Sequence, residues 1–219
     1  SRPIERARDT REAVYIVTNP NGPIPELPST GFQSVEAIDE HSARVILDLG
    51  APAQAPPDDA NNADFTGSSA LIDADDEQVK KLTARALTRL RAAANGLKPA
   101  DQNRPIDQGG PAVAAEAAPM ERAEAIRKAV FRHIKKKSLG VGFASASETV
   151  RSREGDCSEH GVLLAAALRA DGIPARVVAG LVYVDQFSEA SAIFGYHMWA
   201  QALIEVDGKP RWIDVDATL

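Results

Sequence analysis

Near its end the chain sets two strand-like runs, Tyr196–Val206 and Arg211–Leu219, on either side of Val-Asp-Gly-Lys-Pro. Asp-Gly is a pair that a two-residue hairpin turn favours. A turn centred on Asp207 and Gly208 places Val206 opposite Lys209, and continuing that register places His197 opposite Thr218. Asp216 is then a diagonal neighbour of His197 on the same face, with roughly 7 Å or less between side-chain bases. Asp214 shares that face because side chains alternate with period two, so parity leaves two acids open. A slip of one residue would turn both away. Ahead of this hairpin lie a third strand-like run, Ala175–Val184, and a helical run, Cys157–Ala170, that stops at Asp-Gly-Ile-Pro. Helices followed by an antiparallel sheet make an α+β fold.

The first fifty residues carry a smaller set of strand signals, Glu12–Thr18, Phe32–Ile38 and Ser42–Leu49, separated by turn residues. We read 1–50 as a β-rich N-terminal accessory segment, 51–69 as a Pro-, Asp- and Asn-rich linker, and 70–219 as the core. Within that core the spacing predicts a helix from about Asp75 to Asn95, with Val79, Leu82, Ala86, Leu90 and Ala93 on one face and Gly96 as its stop. A loop over 98–119 leads to a helix over Met120–Lys137 with Ile126, Val130 and Ile134 inward. Lys135–Lys137 then form its dipole-favoured, solvated end.

A net charge of -6 and a pI near 5.3 give no basic footprint, which argues against a nucleic-acid partner. No run of about 18 apolar residues appears, so no membrane span is expected. The N-terminus lacks the order of a signal peptide.

The one cysteine, Cys157, excludes an intramolecular disulfide and stands where the helical run begins. Asp156 followed by Glu159 has the form of a capping box, which makes Cys157 the first helical residue. There the helix dipole favours a thiolate, while Asp156 and Glu159 oppose it, so a cationic imidazole is the natural complement. The alternative is that Cys157 is a small buried side chain. His41 and His133 read as ordinary surface or strand residues, and His160 could cap or pack on the same helix as Cys157. His197 is set apart by the acids its hairpin register supplies. Cys157, His160, His197 and an Asp are also legitimate zinc ligands, but Cys-x-x-His alone is a weak signal, and neither metal nor cofactor is expected.

From about Ala144 to Leu219, the segments Glu-Gly-Asp-Cys-Ser-Glu-His-Gly, His-Met-Trp and Trp-Ile-Asp-Val-Asp-Ala-Thr resemble the transglutaminase-like superfamily in order and spacing. The resemblance implies a papain-like core with Cys157 as nucleophile, His197 as base and Asp216 as orienting acid, Asp214 dropping to second place. Ala217 stands where the family often has Pro. The implied activity is cysteine-dependent acyl transfer on a protein or peptide substrate through a thioester, as peptidase, amidase or transglutaminase. The alternative is a catalytically silent peptide-binding domain. Asp156, Tyr196 and Trp199 are the expected substrate or oxyanion neighbourhood, and Trp199 and Trp212 are also expected to pack the sheet. The backbone N–H of Cys157 is the expected oxyanion donor, and no residue between Met120 and Ser147 identifies itself as a second. Resemblance also implies a bacterial envelope location, and a core truncated at its C-terminus is expected.

Overall fold

A helix with no exposed face must be enclosed on every side, and the stretch from Ser158 to Arg169 is buried throughout. The computed structural model describes residues 4, 6–96, 117–138, 140, 142–187 and 190–218. The chain opens with β1 (Glu12–Thr18), β2 (Gln33–Asp39) and β3 (Ser42–Asp48), an antiparallel sheet of order β1-β3-β2. A 3-10 turn (Pro57–Asn61) and α1 (Ala63–Thr66) follow, then α2 (Glu77–Ala94), α3 (Pro119–His133) and β4 (Lys136–Lys137). Next come α4 (Ala146–Ser152), β5 (Glu154–Gly155) and the enclosed helix, α5 (Cys157–Ala170). Finally β6 (Ala175–Phe187), β7 (Ala190–Val206) and β8 (Lys209–Val215) form an antiparallel sheet of order β6-β7-β8. The fold is α+β.

Helices α2, α3 and α4 pack on α5 from one side and β6 and β7 from the other. Val79, Ile126 and Val130 share one apolar core with Leu163, Leu164 and Leu168 of α5. Each such large side chain is worth roughly 1.5–3 kcal/mol of burial. The sheet contributes Ala200 and Ala202 of β7 and Ile213 and Val215 of β8 to the same core. Its small residues let α5 come close, and a Cβ on Gly161 would lie 3.6 Å from the backbone of Trp199. The other face of the sheet carries Leu203 and Trp212, packed with Ala55 and Phe65. Trp212 Nε1 donates to Asp59 Oδ2 at 2.8 Å, and the Arg176 guanidinium lies 4.1 Å above the indole.

Segment 51–69 therefore lies against this outer face. Buried Arg169 donates to the carbonyls of Gly67 and Asp64, both at 2.6 Å, and of Ala175 at 2.8 Å.

Helix α5 spans the stretch that the sequence predicts, and the last hairpin has the predicted register, with Val206 opposite Lys209 and Ala200 opposite Val215. Asp207 (φ 52) and Gly208 (φ 72) both adopt the left-handed conformation that a type I′ turn requires. Two expectations are corrected. Helix α3 ends at His133, because Ile134 turns extended and buries itself, and Lys136–Lys137 pair in parallel with Glu154–Gly155 instead of extending the helix. Lys136 Nζ meets Glu154 Oε1 at 2.8 Å. Helix α4 was not anticipated; Ser145 and Glu148 cap it reciprocally. The loop expected over 98–119 lies outside the described residues as far as residue 116. No described helix is long and apolar enough to cross a membrane.

Candidate active site

The thiol is placed by a tightly bonded helix start. Asp156 is the N-cap of α5; its Oδ1 accepts from Ser158 N at 2.9 Å and Ser158 Oγ at 2.8 Å. Glu159, fully buried, accepts from Asp156 N at 2.9 Å, Ser158 Oγ at 3.0 Å and Ala144 N at 3.1 Å. Its stem lies against Gly155, where a Cβ would come 2.6 Å from Glu159 Cγ and has no room. Cys157 is thus the first helical residue, partly exposed, with no disulfide. Among the described residues the thiol makes no hydrogen bond.

His160 sits one turn further on and is 1% exposed. Its Nδ1 lies 2.5 Å from the Asp156 carbonyl, so this nitrogen carries a proton and donates. Nε2 is then a buried acceptor with no partner among the described residues. Burial pushes the pKa of His160 down, more than the bond to Asp156 raises it. The described residues contain no group of three or more His, Cys, Asp or Glu placed to hold a metal ion, and Cys157, His160 and His197 are not gathered into one.

His197 lies on β7. Its Nε2 is 2.7 Å from Asp216 Oδ2, while Thr218 donates to Asp216 Oδ1 through its backbone N–H at 2.7 Å and its hydroxyl at 2.6 Å. Thr218 Oγ1 is also 3.3 Å from His197 Nε2, so the two residues that the turn's register sets opposite each other are in contact although the ladder itself ends at Ala200 opposite Val215. Burial pushes the Asp216 carboxyl up, but the bonds from His197 and Thr218 together outweigh it, and the pKa falls below the ordinary 3.8. An ionised carboxylate only accepts, so Nε2 of His197 carries a proton, and in the neutral imidazole the lone pair is on Nδ1. Two donors hold the tail that carries the acid: Arg127 Nη1 reaches the Asp216 carbonyl at 3.2 Å, and Lys137 Nζ reaches that of Thr218 at 2.8 Å.

The choice between the two acids that alternation left open falls to contacts. Asp214 Oδ1 accepts from Trp199 Nε1 at 2.6 Å and Gln201 Nε2 at 2.8 Å, and has no bond to His197. Trp199 stacks on His197 with ring centroids 5.9 Å apart and planes 20° apart. Tyr196, the preceding residue on β7, is 95% exposed. The structure thus joins His197, Asp216, Thr218 and Trp199, and sets Cys157 at the tip of the helix whose Gly161 packs on the Trp199 backbone. Thr218 is the residue that the turn's register sets opposite His197, and its bonds to Asp216 are what the register does not show. Arg127 and Lys137 come from distant parts of the chain and leave no local signal, whereas Glu159 belongs to the capping box that its spacing from Asp156 predicts.

Residues 108–217 match the family model described as the transglutaminase-like superfamily. Among solved structures, the periplasmic domain of TgpA from Pseudomonas aeruginosa is similar at 18% identity and a TM-score of 0.50, over 95% of this chain and 70% of that one. The same domain bound to ethylmercury is similar at 18% identity and a TM-score of 0.48, over 94% and 72%. A candidate cysteine protease from Cytophaga hutchinsonii is similar at 17% identity and a TM-score of 0.44, over 94% of this chain. The chain spans 64% of that protein's length. No curated protein matches the chain.

Proposed function

Because the chain belongs to the transglutaminase-like superfamily, we propose that it is a cysteine-dependent acyl-transfer enzyme acting on the amide or peptide bonds of a protein or peptide substrate. In this reading Cys157 is the nucleophile, His197 the base and Asp216 the acid that orients the base. The observation that carries it is the 2.7 Å bond from His197 to Asp216, which leaves Nδ1 basic on the sheet against which the Cys157 helix packs.

Nδ1 takes the thiol proton, giving a thiolate and an imidazolium that Asp216 stabilises. The sulfur bonds to the carbonyl carbon as the π pair moves onto oxygen, and the Cys157 backbone N–H, free at the first helical position, donates to that oxyanion. Collapse breaks the C–N bond, the imidazolium proton passes to the departing nitrogen, and a thioester remains. Water resolves it in a hydrolase and an amine in a transglutaminase, with His197 taking the proton of the attacking group. Tyr196, exposed beside the base, and Trp199 are the proposed substrate neighbours. Asp156 acts by capping the helix that carries the thiol. Likeness to a periplasmic domain supports a bacterial envelope location as part of the same proposal.

Alkylation by iodoacetamide tests the nucleophile without knowledge of the substrate. At about pH 6 the native thiol should react about tenfold faster than free cysteine, and His197→Ala should remove the excess. Rates no higher than those of free cysteine from about pH 5 to 8 would favour a silent peptide-binding domain instead. Mass spectrometry of an acyl-enzyme trapped from a peptide library, with Cys157→Ala as control, identifies the acyl donor.

A further inference from the structure

The contacts of Trp199 continue outward to the N-terminal sheet. The indole lies across Gly180 of β6, where a Cβ would come 2.6 Å from Cη2 and 3.2 Å from Cζ3. Its face stacks on His197, and its N–H is held by Asp214. Asp214 is enclosed in turn by the segment just before β2. A Cβ on Gly31 would collide with Asp214 Oδ2 and come 2.5 Å from Gln201 Nε2, and Gly31 has a φ of +59 that favours glycine. Phe32 N lies 3.4 Å from Asp214 Oδ2. Thr30 Oγ1 donates to Gln201 Oε1 at 3.2 Å, and Arg176 donates to both, at 2.6 and 3.0 Å. Among the charged groups nearby, Asp216 is bonded to the imidazole and interacts electrostatically with Arg127 and His160, His160 also feels Lys137, and Arg176 interacts with Asp214 and Asp59.

Resting on the nucleophile reading above, we propose that the turn Thr30–Phe32 positions the general base, acting through Asp214 and Trp199. Asp214 and Trp199 are positioning residues. They hold the indole parallel to the imidazole, and an aromatic face beside an imidazolium favours its charged form. The thiolate–imidazolium pair is stabilised with it. Gly31 is the residue that lets an element from the N-terminal sheet close on the carboxylate. In this proposal the activation of the thiol depends on a segment about 170 residues upstream of the base, joined to it by the contacts of Thr30 with Gln201 and Phe32 with Asp214.

The test is the ratio of the iodoacetamide rate at about pH 6 to that at about pH 9.5, where the thiol ionises unaided and the rate reports access alone. Asp214→Ala, Gly31→Ala and Trp199→Phe should each lower this ratio about threefold, the size expected for a weakened cation–aromatic contact. Asp214→Asn still accepts from the indole and should recover most of the ratio. Trp199→Phe leaves the backbone intact and carries the test if near-ultraviolet circular dichroism shows that Gly31→Ala does not fold. Ratios equal to wild type in Asp214→Ala and Trp199→Phe, with an activated wild-type thiol, would overturn this inference and leave the proposed function standing. A loss in Asp214→Ala that Asp214→Asn does not reverse would overturn it too. An unactivated wild-type thiol would remove both readings.

Discussion

Asp216 titrates below the ordinary carboxylate range although burial pushes it up, because His197 Nε2 and the backbone and hydroxyl of Thr218 all donate to it. A folded pKa below the unfolded one contributes stability that is fully present above the unfolded value and lost as pH falls through the folded value. Urea midpoints should therefore drop as pH falls below about 3.8, and Asp216→Asn should make that limb shallower, the remainder coming from other depressed carboxylates such as Glu124, held at about 2 by Arg127. His160 gives a separate, higher window. Its folded pKa lies below 6.5, so the unfolded chain takes up a proton first and stability is lost as pH falls from about 6.5 towards the folded value. His133 is also pushed below 6.5 by burial and adds to the same window, so His160→Leu should make this slope shallower, not abolish it, while leaving the Asp216 limb in place, as the same titration series will record. Alternation along the last strand puts Asp214 and Asp216 on one face. It could not assign them, since the deciding groups are the Trp199 N–H and the Thr218 hydroxyl, whose directions depend on packing.

Helix α5 was legible from end to end because its cap, its apolar run and its Asp-Gly-Ile-Pro stop are all local. Asp156→Ala removes the N-cap bonds to Ser158 and should lower stability by about 1 kcal/mol in urea unfolding at neutral pH. Ser158→Ala leaves Asp156 bonded to the backbone, and should cost less. Helix α4 was missed despite an equivalent signature, Ser145 with Glu148, because seven residues offer too little periodicity to separate a helix from a loop. The lysine run misleads for the opposite reason. Its charge fits a helix end, but Ile134 turns inward a residue earlier, and β5, about twenty residues on, supplies the pairing that the dipole argument could not foresee.

Across the whole molecule, the sheet β6-β7-β8 is covered on one face by α5 and on the other by residues that composition marks as polar and irregular. What binds residues 64–67 is mainly their backbone carbonyls, offered to Arg169, and such bonds carry no compositional signal. Arg169→Ala would withdraw a buried cation from three carbonyls and should cost about 3 kcal/mol, read as a lower urea midpoint. The turn at Asp207 and Gly208 has an effect at the same scale. From Lys209 to Asp216 the terminal strand runs out roughly 24 Å, at about 3.4 Å per residue, so the corner that fixes the pairing stands far from the imidazole it serves. One extra residue at that corner would offer His197 the methyl groups of Val215 and Ala217, and would drive two carboxylates into the oily seam beneath α5. The length of a distant bend therefore decides which side chains His197 meets, and single-residue turn insertions should part His197 from Asp216 without altering either residue.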